Sequence, residues 1–464
     1  MSLPIRLRFA PSPTGNLHVG NFQTAVVNYF IALKLGGSCF IRVDDTDKKR
    51  NKEGALDSIF EDLKWAGFKI DEVNYQSKRV ELYEKAANRL KEKGLLYRCF
   101  CSSEELAAER ELQLKTGNPP KYSGKWAKAS EESVKQELDK GTPHTWRLKI
   151  PQDRGGIEWV DLVRGKQKVE ASTLGDFIVL REDGSATYNF ASAFDDVSLN
   201  ATHIVRGDDH SSNTPKQILL IEALAQIEEY KEEFSQALSK MHFGHIPIVL
   251  GLDKSKLSKR NGSRTVKEYI EMGVLPEALV NAMLPLFWTP PPKKEIFSKL
   301  SQACEYFETN KINKSPAVFD EKKLFWINSK HLKSITDEKQ RLSLAKKWLP
   351  KEGANVQALN CVWDELTLLS EVEEKINSII KTPTYESPDE KSKESAKLWL
   401  SSYTQPYEQW LSKVKETAQF KGKELFMPLR IALSGQKHGP ELKDIINILG
   451  EETVKSRLEN YLAS

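Results

Sequence analysis

The residues best placed for chemistry are one histidine and a distant cluster of lysines. His18 stands in Leu17-His18-Val19-Gly20-Asn21, after Arg8-Phe9-Ala10-Pro11-Ser12-Pro13-Thr14-Gly15-Asn16. Pro11 and Pro13 hold that approach extended, and Gly15 permits a turn. The apolar spacing of Phe22, Ala25, Val26, Tyr29, Phe30 and Leu33 predicts a helix that starts beside His18 and ends at Gly36-Gly37. A helix start presents unpaired amide N–H groups and the positive end of the macrodipole, and an imidazole adds one more donor, so an anion such as a phosphate is expected there. Gly20 leaves out a side chain where a purine or ribose would press on the backbone. An ordinary helix cap is the competing explanation. Much later, Asp253-Lys254-Ser255-Lys256-Leu257-Ser258-Lys259-Arg260-Asn261-Gly262 sets four cations around two serines. Such a run alone fits a solvated loop; together with His18 it fits a second set of phosphate contacts.

These groups need a scaffold. The period-two alternation of Ile5–Phe9 predicts a strand, and residues 1 to about 70 continue as helix, strand and helix, the pattern of a parallel sheet with crossover helices. From Tyr75 the pattern changes. Leu82, Ala86, Leu90 and Leu95 predict a helix, Ser102 to Glu105 reads as a capping box opening another, and Thr145–Ile150 begins a set of strands. Phe177–Leu180 and Thr187–Phe190, around Asp183-Gly184, read as a hairpin. His203–Arg206 and Ile246–Leu250 resume the parallel sheet, with a helix over Pro215–Ala225 between them and a polar, helix-prone surface excursion over Ile227–Lys240. After Pro290-Pro291-Pro292 the apolar spacing is helical almost throughout.

At 464 residues the chain calls for two to four domains. It has no apolar run of about 18 residues or more, and Met1-Ser2-Leu3-Pro4 passes almost directly into the first strand, so a soluble cytoplasmic protein is expected, with an organellar form after presequence removal as the alternative. Five cysteines, Cys39, Cys99, Cys101, Cys304 and Cys361, form no disulfide-like framework and suit a reducing compartment. A net charge of +4 is too small to announce a nucleic-acid partner, so any such surface has to come from local patches such as Lys254 to Arg264.

Taken together, the two motifs resemble the histidine and lysine signatures of class I aminoacyl-tRNA synthetases. The opening Arg-Phe-Ala-Pro-Ser-Pro-Thr-Gly followed by Leu-His-Val-Gly-Asn is similar to that of bacterial-type glutamyl-tRNA synthetases. The likeness continues at Phe40–Asp47, Thr187–Ala191, His203–His210, Ser212–Pro215 and Phe426–Arg430. It implies an α/β fold: a Rossmann-type parallel-sheet catalytic domain (1–74 and 191–250) with an inserted α+β domain for the tRNA acceptor end (75–190). A lysine-loop and stem-contact domain (251–310) and helical anticodon-binding domains (311–464) would follow. The implied activity is ATP-dependent formation of glutamyl-adenylate and transfer of the glutamyl group to tRNA(Glu), with AMP and diphosphate released. By the same resemblance His18, Lys256 and Lys259 are catalytic, and Gly20, Asn21, Asp209, His210 and Ser258 join them around ATP. Arg8, Ala10, Ser12, Asp44, Tyr188, Ser192 and Arg206 would hold glutamate; a guanidinium suits its carboxylates because the planar fork matches them in two hydrogen bonds.

The chain also departs from the family. Asp44 and Asp208 stand where glutamate is usual, each one methylene shorter, so either the pocket is drawn inward or a water bridges the gap. Many relatives hold zinc with a Cys-x-Cys pair and later ligands; here Cys99 and Cys101 are followed by Tyr122-Ser123-Gly124-Lys125-Trp126, with tryptophan where the third cysteine would fall. Four donors are needed for a closed site, so no structural zinc is expected, and Mg²⁺ is expected only with the nucleotide. Asp44, Asp45 and Asp47 fit a solvated turn as well as a metal site. Trp326, Arg430 and the last helices are expected to support the helical half. Glu352 to Glu374 contains no lysine or arginine, so the choice between tRNA(Glu) alone and tRNA(Gln) as well stays open. A monomer with no membrane partner is expected. The helical tail argues against a glutaminyl enzyme, against a truncated tRNA-modifying relative and against a small-molecule nucleotidyltransferase. Intact His18, Lys256 and Lys259 argue against a silent tRNA-binding paralogue.

Overall fold

The computed structural model describes residues 4–47, 49–151, 153–257, 264–292, 294–351 and 356–464. Two compact units divide the chain, one of residues 1–267 and 280–320, the other of residues 268–279 and 321–464.

The first unit is built on a seven-stranded sheet in the order Val73–Tyr75, Ser38–Val43, Arg6–Phe9, His203–Gly207, His242–Ile246, Gly156–Asp161, Gly165–Glu170. All neighbours are parallel except the last pair. Arg6–Phe9 lies near the middle with Leu7, Arg8 and Phe9 all buried, so its alternation marks the strand but not an exposed face. The helix Val19–Leu35 returns the chain to the neighbouring strand, and Gly36, at φ 65°, closes it in the left-handed conformation that glycine adopts without strain. Gly37 is needed for a second reason: a Cβ there would sit 2.4 Å from the carbonyl oxygen of Ile5.

The sequence expectations need correction at three places. Thr187–Phe190 is not the second strand of a hairpin: the tight turn is present, with Arg181 N donating to Ser185 O, Leu180 bridging Ala186 and Thr187 N donating to Val179 O, but the helix Tyr188–Ser198 begins directly after it. Strands Gly156–Asp161 and Gly165–Glu170, expected inside an insertion, extend the parallel sheet, and Leu96, Leu148, Ile150 and Val179 share one core with Phe190, Ile204, Leu220 and Phe243. The antiparallel sheet of Leu96–Cys99, Thr145–Leu148 and Ile178–Leu180 is thus a lobe of the same body. Third, Ile246–Leu250 is divided: His242–Ile246 belongs to the main sheet, whereas Val249–Leu250 pairs with Ala317–Val318. The excursion contains the helix Lys231–Lys240, anchored by the buried Phe234 and Ala237.

The second unit is helical among its described residues. Three of its tryptophans do two jobs at once, filling the core and pairing their indole N–H with a backbone carbonyl: Trp363 Nε1 donates to Leu332 O, Trp399 to Leu425 O and Trp410 to Trp399 O, at 2.8, 2.9 and 2.8 Å. Arg430 supports this unit by donating to Pro440 O, but Trp326 does not: it is 45% exposed, with Lys330 over its ring. Among the described residues, no helix is long and apolar enough to cross a membrane.

Candidate active site

A cleft of about 520 Å³ opens at the carboxyl ends of Arg6–Phe9 and His203–Gly207, where open parallel sheets present their loops. Arg8, Ala10, Ser12, His18, Gly20, Asn21, Asp44, Tyr188, Arg206, Asp209, His210 and Lys256 all line it, so residues spread over most of the first unit meet at one surface. Ser192 does not line it. That side chain is fully buried, and its hydroxyl accepts from Arg42 Nη2 at 3.1 Å. Ser258 and Lys259 lie outside the described residues.

On one side of the cleft His18 is the residue before the helix Val19–Leu35, extended at φ −106°, with its carbonyl accepting from Phe22 N at 2.9 Å. Its imidazole makes no capping bond to that helix. Gly20 has a more specific reason than ligand clearance alone: a Cβ would stand 3.3 Å from the His18 ring, so glycine lets the imidazole lie across the helix start. The lysine segment is fastened at both ends. Leu257 N donates to Val249 O, and Lys256 bridges Leu250; on the return, Val266 N donates to Leu17 O, and Thr265 bridges His18 itself. The backbone of His18 and the residue that follows the lysine run, Thr265, are therefore neighbours. Lys256 Nζ lies 2.8 Å from Asp209 Oδ2, both half exposed. Burial pushes the Asp209 carboxyl up, but the hydrogen bond from Lys256 and the charges of His210 and Lys256 outweigh it and hold it below the usual range.

The floor carries buried charge. Asp196, from the helix Tyr188–Ser198, accepts from Arg8 Nε at 2.9 Å and from Arg42 Nη1 at 2.6 Å through one oxygen. Arg42 also holds Asp44 by two bonds, Nε to Oδ1 at 2.7 Å and Nη2 to Oδ2 at 3.0 Å. Burial lifts the Asp44 carboxyl above its ordinary range, the Arg42 charge offsetting only part of that; at Asp196 the Arg8 and Arg42 charges overcome burial and lower it. Arg206 Nη2 donates to Thr214 Oγ1 at 2.8 Å, and Nη1 lies 3.5 Å from the Tyr188 hydroxyl. Tyr188 in turn packs on the His210 ring, centroids 5.4 Å apart. Asp208 is drawn aside by Arg164, from the turn between the two added strands. Asp45 caps Ser77, accepting from its amide at 2.7 Å and its hydroxyl at 2.6 Å, so it serves the fold.

Sequence reasoning missed Arg42 and Asp196, and also Arg181, whose side chain lines the cleft. Arg42 was within reach, since it stands two residues before Asp44 and therefore on the same strand face. Asp196 was not, because 187–190 read as a strand, which hides the helical spacing that carries it under the cleft.

The two thiols of the lobe rest on a phenol. Cys99 Sγ is 3.5 Å and Cys101 Sγ 3.9 Å from the Tyr122 hydroxyl, which also accepts from Trp126 N at 3.0 Å. His144 packs against Phe100 with its ring tilted and meets Trp146 edge to face. Two thiols and a phenol fall short of a closed tetrahedral zinc shell. No group of three or more His, Cys, Asp or Glu placed to hold a metal occurs among the described residues.

Comparison with known proteins follows this geometry. Residues 4–326 match the family model for tRNA synthetases class I (E and Q), catalytic domain, and residues 340–462 match the model for an anticodon binding domain. The chain is 37% identical to a glutamate–tRNA ligase of Natranaerobius thermophilus, over 100% of this chain and 99% of that one. It is also 37% identical to a glutamate–tRNA ligase of Bacillus subtilis, over 99% and 100%. A crystal structure of a glutamate tRNA ligase from Elizabethkingia meningosepticum, in complex with its amino acid, superposes with a TM-score of 0.84 at 28% identity, covering 99% of each chain.

Proposed function

This chain belongs to the class I tRNA synthetases of glutamate and glutamine, and from that membership we propose which of its residues carry the reaction. It is a glutamate–tRNA ligase: L-glutamate and ATP give glutamyl-adenylate and diphosphate, and the glutamyl group then passes to the 3′ end of tRNA with release of AMP. In the first step a glutamate carboxylate oxygen attacks the α-phosphorus and diphosphate leaves. In the second, a hydroxyl of the terminal ribose attacks the acyl carbon and AMP leaves.

Both steps build negative charge on phosphate or carbonyl oxygens, and fixed donors aimed at that charge are the main source of acceleration. His18 and the helix start behind it face the triphosphate, with Lys256 across the cleft from them and Gly20, Asn21, Asp209 and His210 shaping the nucleotide site; Lys259 and Ser258 are assigned to the same phosphates by the lysine signature alone. Any Mg²⁺ would be held mainly by the triphosphate itself and would screen its negative charge. Arg8 and Arg206 take the glutamate carboxylates, Asp44 faces its ammonium group, and Ala10, Ser12 and Tyr188 complete the contact. Ser192 acts from below by holding Arg42. Both Asp44 oxygens already accept from Arg42, but a carboxylate oxygen has a second lone pair, so an ammonium group can still be bound.

One observation supports the choice of amino acid above the others. Arg8 and Arg42 pair with the buried carboxylates Asp196 and Asp44, whereas Arg206, also buried, has no ion-pair partner among the described residues and is held by Thr214, His245 and Tyr188. The second carboxylate of L-glutamate would supply that partner; the amide of glutamine would not. The same proposal takes the enzyme as a cytoplasmic monomer acting on tRNA(Glu), with tRNA(Gln) as a second substrate to be tested. Charging of total tRNA with radiolabelled glutamate, then of purified tRNA(Glu) and tRNA(Gln), tests it. Glutamyl-tRNA(Glu) is expected; charging with glutamine in place of glutamate would refute it.

A further inference from the structure

Behind Arg206 lies a buried chain of groups that the reaction as described does not use. Asp161 ends the added strand Gly156–Asp161, and His245 lies on the adjacent strand His242–Ile246; each is 1% exposed. Asp161 Oδ1 accepts three backbone amides, Val163 N at 2.9 Å, Arg164 N at 3.0 Å and His245 N at 3.3 Å. That leaves Oδ2 for the His245 side chain, whose Nδ1 lies 2.5 Å away. A carboxylate can only accept, so the proton sits on Nδ1 and the opposite nitrogen is a lone pair. Nε2 receives Arg206 Nε–H at 3.2 Å and the Thr214 hydroxyl at 3.0 Å, and Thr214 Oγ1 accepts Arg206 Nη2 at 2.8 Å. The inner edge of the guanidinium is thereby fixed, and its remaining nitrogen, Nη1, is turned towards Tyr188.

We propose that Asp161 and His245 are positioning residues for Arg206: Asp161 selects the Nδ1–H tautomer of His245, and the unprotonated Nε2 aims the guanidinium at the substrate carboxylate. This rests on Arg206 binding glutamate. The Asp161→Asn variant separates tautomer from bulk. Three amides hold the Asn oxygen at the Oδ1 position, so its NH₂ group must face His245 Nδ1. The ring then protonates on Nε2 and confronts Arg206 Nε–H, donor against donor.

The same geometry gives glutamate binding an acid limb. His245 faces Asp161 on the added strand, Arg206 on its other neighbouring strand, and Asp208 and His210 in the following turn. Burial holds it below the ordinary histidine range, Asp161 pulls it upward and Arg206 pushes it down again. It is neutral at neutral pH, and protonation in acid turns Nε2 into a donor.

ATP–pyrophosphate exchange by the full-length enzyme, with tRNA present, tests the proposal. Asp161→Asn should raise the KM for glutamate roughly 10- to 100-fold, the penalty for misplacing a binding group, with the KM for ATP unchanged. The wild-type KM for glutamate should rise in acid, at a pH below the ordinary histidine range, and His245→Gln should abolish that limb. If Arg206→Ala raises the KM for glutamate but Asp161→Asn does not, the positioning role is wrong and the substrate assignment stands. If Arg206→Ala leaves that KM unchanged, the assignment of Arg206 itself fails. A parallel rise for glutamate and ATP in Asp161→Asn would mean general damage and overturn the proposal. Nitrogen-15 spectra of histidine-labelled wild-type protein need no fragile variant: the His245 signal, assigned by its loss in His245→Gln, should show Nδ1–H, and Nε2–H would refute the tautomer.

Discussion

Arg42 holds Asp44 in a two-toothed pair, Nε to Oδ1 at 2.7 Å and Nη2 to Oδ2 at 3.0 Å, with both side chains buried on one face of a strand. The shortened carboxylate at position 44 is thus set by a neighbour two residues away. Its orientation belongs to the protein before any substrate arrives, which is what a binding site with little reorganisation requires.

That pair predicts a stability effect. Arg42→Met leaves Asp44 and Asp196 buried with less compensation, and removing one partner of a buried ion pair costs on the order of 3–5 kcal/mol. A urea midpoint well below wild type, at an unchanged slope, is expected. An unchanged midpoint would show that the floor charges are not coupled as described.

Lys256 predicts a rate effect. Its ammonium group sits 2.8 Å from Asp209 Oδ2 at the mouth of the cleft, free of deep burial, so truncation should spare the fold. Lys256→Ala should slow single-turnover adenylate formation about 10²-fold while ATP affinity changes little. Lys259→Ala is expected to behave the same way. Near-normal single-turnover rates in both variants would remove the lysine segment from the chemistry.

His203 predicts a pH effect on stability. Burial first, and the His242 charge second, lower it to about 4. The folded state therefore disfavours the protonated ring, and the contribution is present above about pH 6.5, where the unfolded residue is also neutral, and is lost as pH falls through about 4. The loss attributable to His203 reaches at most about 3 kcal/mol. Urea titrations across that window should show the decline, and His203→Gln should flatten it; an equal slope in both proteins would contradict the prediction.

Cys99 and Cys101 predict an empty metal balance. With Tyr122 beside both thiols and Trp126 at the place of a further ligand, elemental analysis of protein purified without chelators should find zinc far below one equivalent. One equivalent, released by thiol alkylation, would overturn this.

Much of the site was legible in the chain because its parts are local. The extended Pro11 and Pro13 approach, the helix start after His18 and the lysine run each carry their own composition, and the structure brings His18 and Lys256 to one cleft. What stayed hidden depends on partners far apart in sequence. Arg42 and Asp196 become neighbours only when the helix Tyr188–Ser198 passes under the sheet, and aromatic Tyr188 and Phe190 made its first turn look like a strand. Asp161 was invisible for a related reason: short strands with alternating charge, Gly156–Asp161 and Gly165–Glu170, say nothing about which sheet they will join. The helical tail read correctly because tryptophan, leucine and isoleucine at helical spacing need no distant partner to declare a helix.

ATP–pyrophosphate exchange with each amino acid in turn, in the presence of total tRNA, tests the assigned chemistry most directly. Exchange that requires L-glutamate, is silent with L-glutamine and collapses in His18→Ala is the expected result. Exchange supported equally by glutamine, or undiminished in His18→Ala, would contradict it.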